Sequence, residues 1–205
     1  MKTSYLLSLL FLFSSQTITN KSTFNDGGLE GILLLYSGKY TEETSYKIYN
    51  LDKTLFAEIK SINGNEPSCP ILKGKILAYY DDYYIFHFSA KYVKSNNTYE
   101  IKIGNSIKEI IKDESMVFLT WQEYVLKFYC KSSKENPVRL LPEISSKEIK
   151  VDYENTSFRC IGIKGDWVKV ECNQECDGCP TAKKISGWIR WRIHGKVILN
   201  QILVC

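Results

Sequence analysis

The amino-acid sequence predicts an all-β protein with a minor α-helical part, which starts with an antiparallel β domain containing one short helix. Three observations support this class. The chain of 205 residues is 44% hydrophobic and 13% aromatic, which is too apolar for a disordered protein. Short runs rich in Ile, Tyr, Phe and Leu alternate with turn residues through the first half. One helix-start motif interrupts this pattern near residue 120.

The N-terminal residues 1–16 have the features of a secretory signal peptide in the usual order. Lys2 precedes an apolar run at 6–13, and small or polar residues follow at 14–16. The run is too short to span a bilayer, and no later apolar stretch approaches the roughly 20 residues that a membrane helix requires. We therefore predict a secreted or periplasmic protein without a transmembrane segment, with a flexible N-terminus at 17–27 after the signal peptide.

A tyrosine-rich β domain is predicted at 28–130, because 13 of the 14 tyrosines precede residue 131. A two-residue hairpin loop at 81–82 would set Tyr80 opposite Tyr83. Tyrosine rings could stack on a sugar, but cross-strand aromatic pairing accounts for the cluster without a ligand and is the preferred interpretation. The predicted strands are 29–35, 45–49, 55–59, 76–80, 83–88 and 99–103.

One helix is predicted near the end of this domain. Thr120 and Glu123 have the spacing of a capping box, in which each side chain accepts a hydrogen bond from the backbone of the other residue. The amphipathic segment continues through Leu126. Its inward-facing side chains are predicted to be Trp121, Tyr124 and Val125.

Two further features of the first half carry no recognisable chemistry. Segment 107–112 fits either a turn of helix or another strand. His87 lies in the apolar run 85–88 and is predicted to be a packed histidine rather than a metal ligand. Since His194 is the only other histidine, the chain has little material for a multi-histidine metal site.

Charge divides the chain near residue 130. Residues 1–130 carry equal numbers of basic and acidic side chains, so the net charge of +4 lies entirely in 131–205. We predict a polar linker at 131–135 and a second domain at 136–205. A charge of this size is ordinary for a soluble domain and, together with export, indicates no nucleic-acid partner.

The second domain carries motifs of a known module. Segment 165–170 is Gly-Asp-Trp-Val-Lys-Val, 187–189 is Gly-Trp-Ile, and a Val-Arg pair at 138–139 precedes Pro142. This order resembles a bacterial SH3-like domain, and the whole chain looks like small exported proteins of Bacteroidetes that place such a module after another β domain. The resemblance implies a small SH3-like β-barrel that recognises a peptide, such as a cell-wall stem peptide. From the residues themselves, Gly165 and Asp166 favour a turn, and Gly187 allows a close approach of another segment.

Seven cysteines, an odd number, would meet an oxidising compartment after export. The cysteine-rich loop 172–185 is longer than an ordinary hairpin loop. Its C-x3-C-x2-C spacing also allows zinc or an iron–sulfur cluster, with Cys160, Cys205 or His194 as a fourth zinc ligand. We favour disulfides, with no metal and no cofactor. The disulfide candidates are Cys69, Cys130, Cys160, Cys172, Cys176, Cys179 and Cys205.

A set of aromatic and basic residues is the most ligand-like feature of the sequence. Aromatic rings beside guanidinium groups can hold peptides or carboxylates by stacking and paired hydrogen bonds. In a regular strand, Trp188, Arg190 and Arg192 would share one face. The candidate ligand-binding residues are Trp167, Trp188, Arg190, Trp191 and Arg192.

These observations lead to a functional prediction. We expect a non-enzymatic binding protein for a peptide or a peptidoglycan fragment. A structural subunit with a protein partner is the first alternative. A secreted hydrolase is the second, with a cysteine and either His87 or His194 as the only evident nucleophile–base pair.

Overall fold

The computed structural model describes residues 30–35, 45–61, 66–172, 179 and 185–204 of the chain. The predicted signal peptide and flexible N-terminus lie outside these residues. The described part contains 15 β-strands and one α-helix, and its sheets are antiparallel. The predicted all-β class with a minor helical part is therefore confirmed. No helix in the described part is long and apolar enough to cross a membrane.

The first sheet has eight strands: seven in the order β3-β2-β7-β6-β5-β1-β8, and β4, which pairs with the edge of β5 opposite β1. Each predicted strand of the first half overlaps one of them, and segment 107–112 falls on a strand rather than a helix. The strands are β1 (Gly31–Leu35), β2 (Ser45–Tyr49), β3 (Leu55–Lys60), β4 (Ala78–Tyr80), β5 (Ile85–Val93), β6 (Thr98–Ile103), β7 (Ser106–Ile111) and β8 (Met116–Thr120).

The predicted register of the β4–β5 hairpin is wrong. Tyr80 pairs with Ile85, so the connection is four residues long and not two. A turn of 3-10 helix occupies Asp81–Tyr83, and Tyr84 closes it in the left-handed conformation at φ 57°. The Tyr84 amide donates to the Asp81 carbonyl at 2.9 Å, so these two backbone groups have their hydrogen-bond partners within the turn.

The helix α1 (Trp121–Lys127) starts with the predicted capping box. The Glu123 amide donates to Thr120 Oγ1 at 3.3 Å, and the Thr120 amide donates to Glu123 Oε2 at 2.8 Å. These two bonds satisfy backbone donors that have no partner within the helix. The predicted inward-facing side chains Trp121, Tyr124 and Val125 are all buried.

The second sheet has five strands in the order β12-β11-β10-β9-β15. The last strand along the chain, β15, thus pairs with β9, the first strand of this sheet along the chain. Among the described strands, no hydrogen bonds join the two edge strands β12 and β15, so the sheet is not closed into a barrel. The strands that follow α1 are β9 (Tyr129–Lys131), β10 (Phe158–Lys164), β11 (Trp167–Cys172), β12 (Ser186–Arg190), the two-stranded ribbon β13 (Arg192–Ile193) and β14 (Lys196–Val197), and β15 (Asn200–Ile202).

The two sheets are joined through the strand β1 and the helix α1. Leu33 and Leu35 of β1 belong to a core on one face of the first sheet. Ile32 and Leu34 point to the opposite face, where they share a second core with α1 and the second sheet. The division into domains at 28–130 and 136–205 stays a prediction, and β9, which overlaps the predicted boundary, pairs inside the second sheet.

Two glycines of the second sheet act as the sequence predicts. Gly165 and Asp166 form the two-residue turn between β10 and β11, with Gly165 at φ 57°. A Cβ atom on Gly187 would lie 2.7 Å from the Arg139 carbonyl oxygen, because the backbone of Arg139 pairs with Trp188 along the outer side of β12. A side chain at either position would therefore be strained or would collide with backbone.

Candidate functional site

Four of the side chains around the predicted ligand site form a surface that we call the tryptophan face: Trp167, Lys169, Trp188 and Arg190. In the register of β11 and β12, Trp167 lies opposite Arg190 and Lys169 lies opposite Trp188. The intervening Val168 and Ile189 are fully buried on the other side of the sheet. The tryptophan face thus points away from the core, and Trp188 and Arg190 share it as the alternation predicts.

Trp191 does not belong to this surface. Its side chain is 0% exposed, and its indole N–H donates to the Gly165 carbonyl at 3.0 Å. Its backbone amide donates to the Asp166 carbonyl at 2.9 Å. Trp191 is therefore a core residue that fixes the β10–β11 turn, and its prediction as a ligand-contacting residue is corrected here.

Both guanidinium groups approach Asp166, although the buried Nε of Arg190 has no hydrogen-bond partner among the described residues. Arg192 Nε donates to Asp166 Oδ1 at 2.6 Å, and Arg190 NH2 lies 3.8 Å from Asp166 Oδ2. The Arg192 guanidinium also covers the Trp191 ring at 4.6 Å. Asp166 neutralises part of the positive charge of the two arginines. Their main contact is therefore with the β10–β11 turn, and they do not form an open site for an anion.

A second candidate surface, which the sequence did not reveal, lies between the β4–β5 turn and β15. We call it the tyrosine groove and define it by Tyr80, Tyr83, Tyr84 and residues 200–204. Two cavities of about 290 Å³ each adjoin there and have Tyr83 and Leu203 in common. Tyr80 is 50% exposed and Tyr83 is 58% exposed. Large aromatic side chains with this exposure beside apolar cavities are typical of binding surfaces.

The tyrosine groove carries charges of both signs. Lys127 lines one cavity and Lys131 the other, whereas Asp81 and Asp82 belong to the turn between Tyr80 and Tyr83 and are not among the described residues that line either cavity. Lys131 is partly held by the Glu154 carbonyl oxygen, to which its Nζ donates at 2.9 Å. An occupant with a carboxylate would complement these two ammonium groups.

His87 lies at the inner wall of the groove and is 5% exposed. Its Nδ1 and the Tyr124 hydroxyl are hydrogen-bonded at 3.0 Å. Burial lowers the pKa of His87 to about 4 and raises the pKa of Tyr124, since the charged form of each group loses hydration. The ring is therefore neutral at pH 7 and is a packed histidine, as the sequence predicts.

One row of backbone groups along β15 is a further feature of the groove. Among the described strands β15 pairs with β9 alone, so it forms one edge of the second sheet. Its residues 200–202 also line a cavity of the tyrosine groove. An edge strand of this kind can accept an extended peptide as an additional strand.

The cysteines are distributed over three places. Cys172 and Cys179 are paired as a disulfide, which agrees with the interpretation of loop 172–185 as disulfide-linked. Cys69 is buried in the first core, whereas Cys130 and Cys160 are buried together in the second. Cys176 and Cys205 lie outside the described residues. Within the described part, no group of three or more His, Cys, Asp or Glu side chains is placed to hold a metal ion.

Another polar cluster lies at a cavity of about 360 Å³ between β2 and β7. Tyr46 and Ser115 are joined by a hydrogen bond of 2.7 Å between their hydroxyl groups, and Ser115 donates to Asp113 from both its hydroxyl and its amide. These last two bonds close an Asx turn and lower the pKa of Asp113. Turn geometry thus explains the cluster without a functional role.

No family model, no curated protein sequence and no solved structure matches the chain. The SH3-like resemblance of 136–205 therefore stays a prediction.

Proposed function

We propose that this chain is an exported, non-enzymatic binding protein that takes up an extended peptide in the tyrosine groove. The observation that carries the proposal is the position of the groove, where exposed tyrosines and two apolar cavities adjoin the edge strand β15. The predicted signal peptide and the Cys172–Cys179 disulfide are compatible with an oxidising compartment outside the cytoplasm.

The mode of binding follows from the elements that border the groove. A peptide added to β15 would exchange main-chain hydrogen bonds with residues 200–202. Its alternate side chains would then enter the cavities beside Tyr83 and Leu203. Tyr83 belongs to both cavities and is more than half exposed, so it is the side chain that such a peptide would cover most completely.

The two lysines of the groove favour an acidic peptide. Lys127 lines one of the cavities that share Tyr83 and Lys131 lines the other, so either ammonium group could pair with a carboxylate of the bound peptide. Cell-wall stem peptides carry such carboxylates, which is the ligand class implied by the SH3-like resemblance. We therefore propose a peptidoglycan-derived peptide as the ligand.

The tryptophan face is a second candidate for the same function. Trp167 and Trp188 are partly exposed on one side of the sheet, and Lys169 lies between them as an exposed cation. Three aliphatic side chains of the neighbouring turn, Leu140, Leu141 and Ile144, are each more than half exposed. A peptide could cross this surface, but the arginines that would bind its carboxylate already contact Asp166.

A binding measurement with three single variants distinguishes the two surfaces. The full chain, produced by export into a bacterial periplasm, is titrated with soluble stem-peptide fragments released from purified peptidoglycan. We expect Tyr83→Ala to weaken binding at least about tenfold, since loss of a central aromatic anchor costs more than about 1.4 kcal/mol. Trp188→Ala should change it less than about twofold. Tyr153→Ala, which removes a partly exposed tyrosine that lines neither cavity, is the matched control.

The results have separate meanings. Loss of binding in Trp188→Ala alone would transfer the site to the tryptophan face. No binding by the unmodified chain would refute recognition of cell-wall peptides. If size-exclusion chromatography then showed a stable assembly, the alternative of a structural subunit would be favoured.

A further inference from the structure

We propose that Cys130 and Cys160 form a second disulfide, which links β9 to β10 within the second core. Their Sγ atoms are 3.6 Å apart, and the side chains are 0% and 4% exposed. Cys130 lies opposite Phe158 in the strand register, so Cys160 is its diagonal neighbour on the same face of the sheet. This inference does not depend on peptide binding in the tyrosine groove, but it shares with the proposed function the export to an oxidising compartment.

The surroundings of the two thiols restrict their choice of partner. Both lie in the second core among apolar side chains, where each thiol has the other as its hydrogen-bonding partner. Cys69 belongs to the separate first core, and Cys172 is already paired with Cys179. The hydrogen bond with Cys160, together with burial, raises the pKa of Cys130 well above its usual range, so the folded protein exposes no reactive thiolate there.

The covalent step is an ordinary thiol–disulfide exchange. One thiol attacks the disulfide of an oxidant, a thiol–disulfide oxidoreductase or a small-molecule disulfide such as oxidised glutathione, and forms a mixed disulfide. The second thiol then displaces the oxidant's sulfur. The two cysteines lose two protons and two electrons in total, and the oxidant is reduced to two thiols. Because both sulfur atoms are buried in the folded chain, we place this step during folding after export.

Bond formation requires the sulfur atoms to approach by a further distance of about 1.5 Å, because a disulfide bond is about 2.05 Å long. Rotation about the Cα–Cβ bonds, together with a small shift of β9 against β10, would have to supply this movement. Only two residue pairs join these strands in the described register, Phe158 with Cys130 and Arg159 with Tyr129. The bond would therefore reinforce a short pairing, at a separation of 30 residues along the chain.

Differential alkylation tests the pairing directly in the full chain exported to a bacterial periplasm. The protein is unfolded in guanidinium chloride with iodoacetamide and no reductant, then digested and analysed by mass spectrometry. We expect one cross-linked peptide pair containing Cys130 and Cys160, neither of which is alkylated. Cys69 should be alkylated in the same sample and is the internal control. Full alkylation of Cys130 and Cys160, or a link from either to a different cysteine, would overturn the proposal.

Thermal unfolding gives a second measurement that does not depend on peptide recovery. In a Cys172→Ala, Cys179→Ala background, a reductant should lower the unfolding midpoint by roughly 7–14 °C, the effect expected for a closed loop of this length. Adding Cys130→Ala and Cys160→Ala should abolish this shift, whereas adding Cys69→Ala should not. If the reductant left the midpoint of the Cys172→Ala, Cys179→Ala protein unchanged, the result would contradict the disulfide. This conclusion would hold even if the variant with all four cysteines replaced failed to fold.

Discussion

At the scale of single residues, His87 shows how burial fixes a protonation state. The ring lines a cavity with Tyr83 and Tyr84, is hydrogen-bonded to Tyr124 and contacts Phe128 in a tilted arrangement at a centroid distance of 5.6 Å. Its folded pKa of about 4 lies below the usual value of 6.5. Between these two pH values the unfolded chain binds more protons than the folded chain, so stability is present above pH 6.5 and is lost as the pH falls toward 4.

This difference predicts a pH-dependent contribution of His87 to stability. Between pH 7 and pH 4.5, the unmodified protein should lose roughly 2 to 3 kcal/mol of unfolding free energy through this group. His87→Gln should be less stable at pH 7 but should lack this part of the decline. Urea unfolding of both proteins at the two pH values measures the difference. The control His194→Asn changes an exposed histidine and should lose as much unfolding free energy between the two pH values as the unmodified protein does. If His87→Gln also lost the same amount, the pH dependence would not come from His87.

Single residues were predictable from the sequence where a local pattern determines them. The apolar neighbours of His87 indicated a packed ring, and the spacing of Thr120 and Glu123 indicated the capping box. Trp191 was misassigned for an equally physical reason. Strand alternation places it on the side of the apolar Ile189, opposite Trp188 and Arg190, and this local signal of a core position was outweighed by the neighbouring arginines.

At the scale of elements, the outer side of β12 is covered by the segment around Arg139. The Arg139 amide donates to the Trp188 carbonyl, and the Trp188 amide donates to the Arg139 carbonyl, both at 2.8 Å. Gly187 permits this approach, since a Cβ there would also lie 2.5 Å from Val138 Cγ1. The contact protects a sheet edge that would otherwise be open for pairing with another chain.

Gly187→Ala should therefore destabilise the protein by about 1–3 kcal/mol, because backbone must move to make room for a methyl group. Gly162→Ala is the matched control in the same sheet, since a Cβ there meets no atom within 4 Å. Its effect should stay within about 0.5–1 kcal/mol of zero. Urea unfolding monitored by tryptophan fluorescence measures both changes, and equal effects at the two positions would contradict the close-approach interpretation.

The positions of the strands and the helix could be predicted from hydrophobic runs and turn residues. Two features of the fold could not be predicted in this way. The β4–β5 hairpin has a four-residue connection because Tyr84 adopts a left-handed conformation, which is uncommon for tyrosine and has no sequence signature. The tyrosine groove combines residues near 83, 128 and 202. Such distant segments meet only through the pairing of the sheets, and that pairing is not encoded in any local pattern.

At the scale of the whole molecule, β1 belongs to two cores at once. Its odd-numbered and even-numbered residues enter opposite faces of the first sheet, and the even-numbered face packs with α1 and the second sheet. All five residues of β1 are buried. The alternation expected for a half-exposed strand is therefore absent, which is the sequence signature of a strand covered on both sides.

A strand shared in this way should couple the unfolding of both sheets. Ile32 is fully buried in the second core, and its neighbour Leu33 is fully buried in the first. Ile32→Ala and Leu33→Ala should each cost about 2–5 kcal/mol. Each variant should shift one common transition, seen equally by tryptophan fluorescence, which reports mainly on the second sheet, and by hydrogen exchange in β6 of the first sheet.

The pair of variants is informative because the two residues are adjacent in sequence, are aliphatic side chains of equal size and fill different cores. If the sheets unfolded independently, Leu33→Ala would lower the transition of β6 and leave the tryptophan signal unchanged. Separate midpoints for the two probes would thus show two autonomous domains, as the change in composition near residue 130 suggests. Coincident midpoints of the two probes would instead show that β1 and α1 link the two sheets into one cooperative unit. A peptide bound in the tyrosine groove would then stabilise both sheets together.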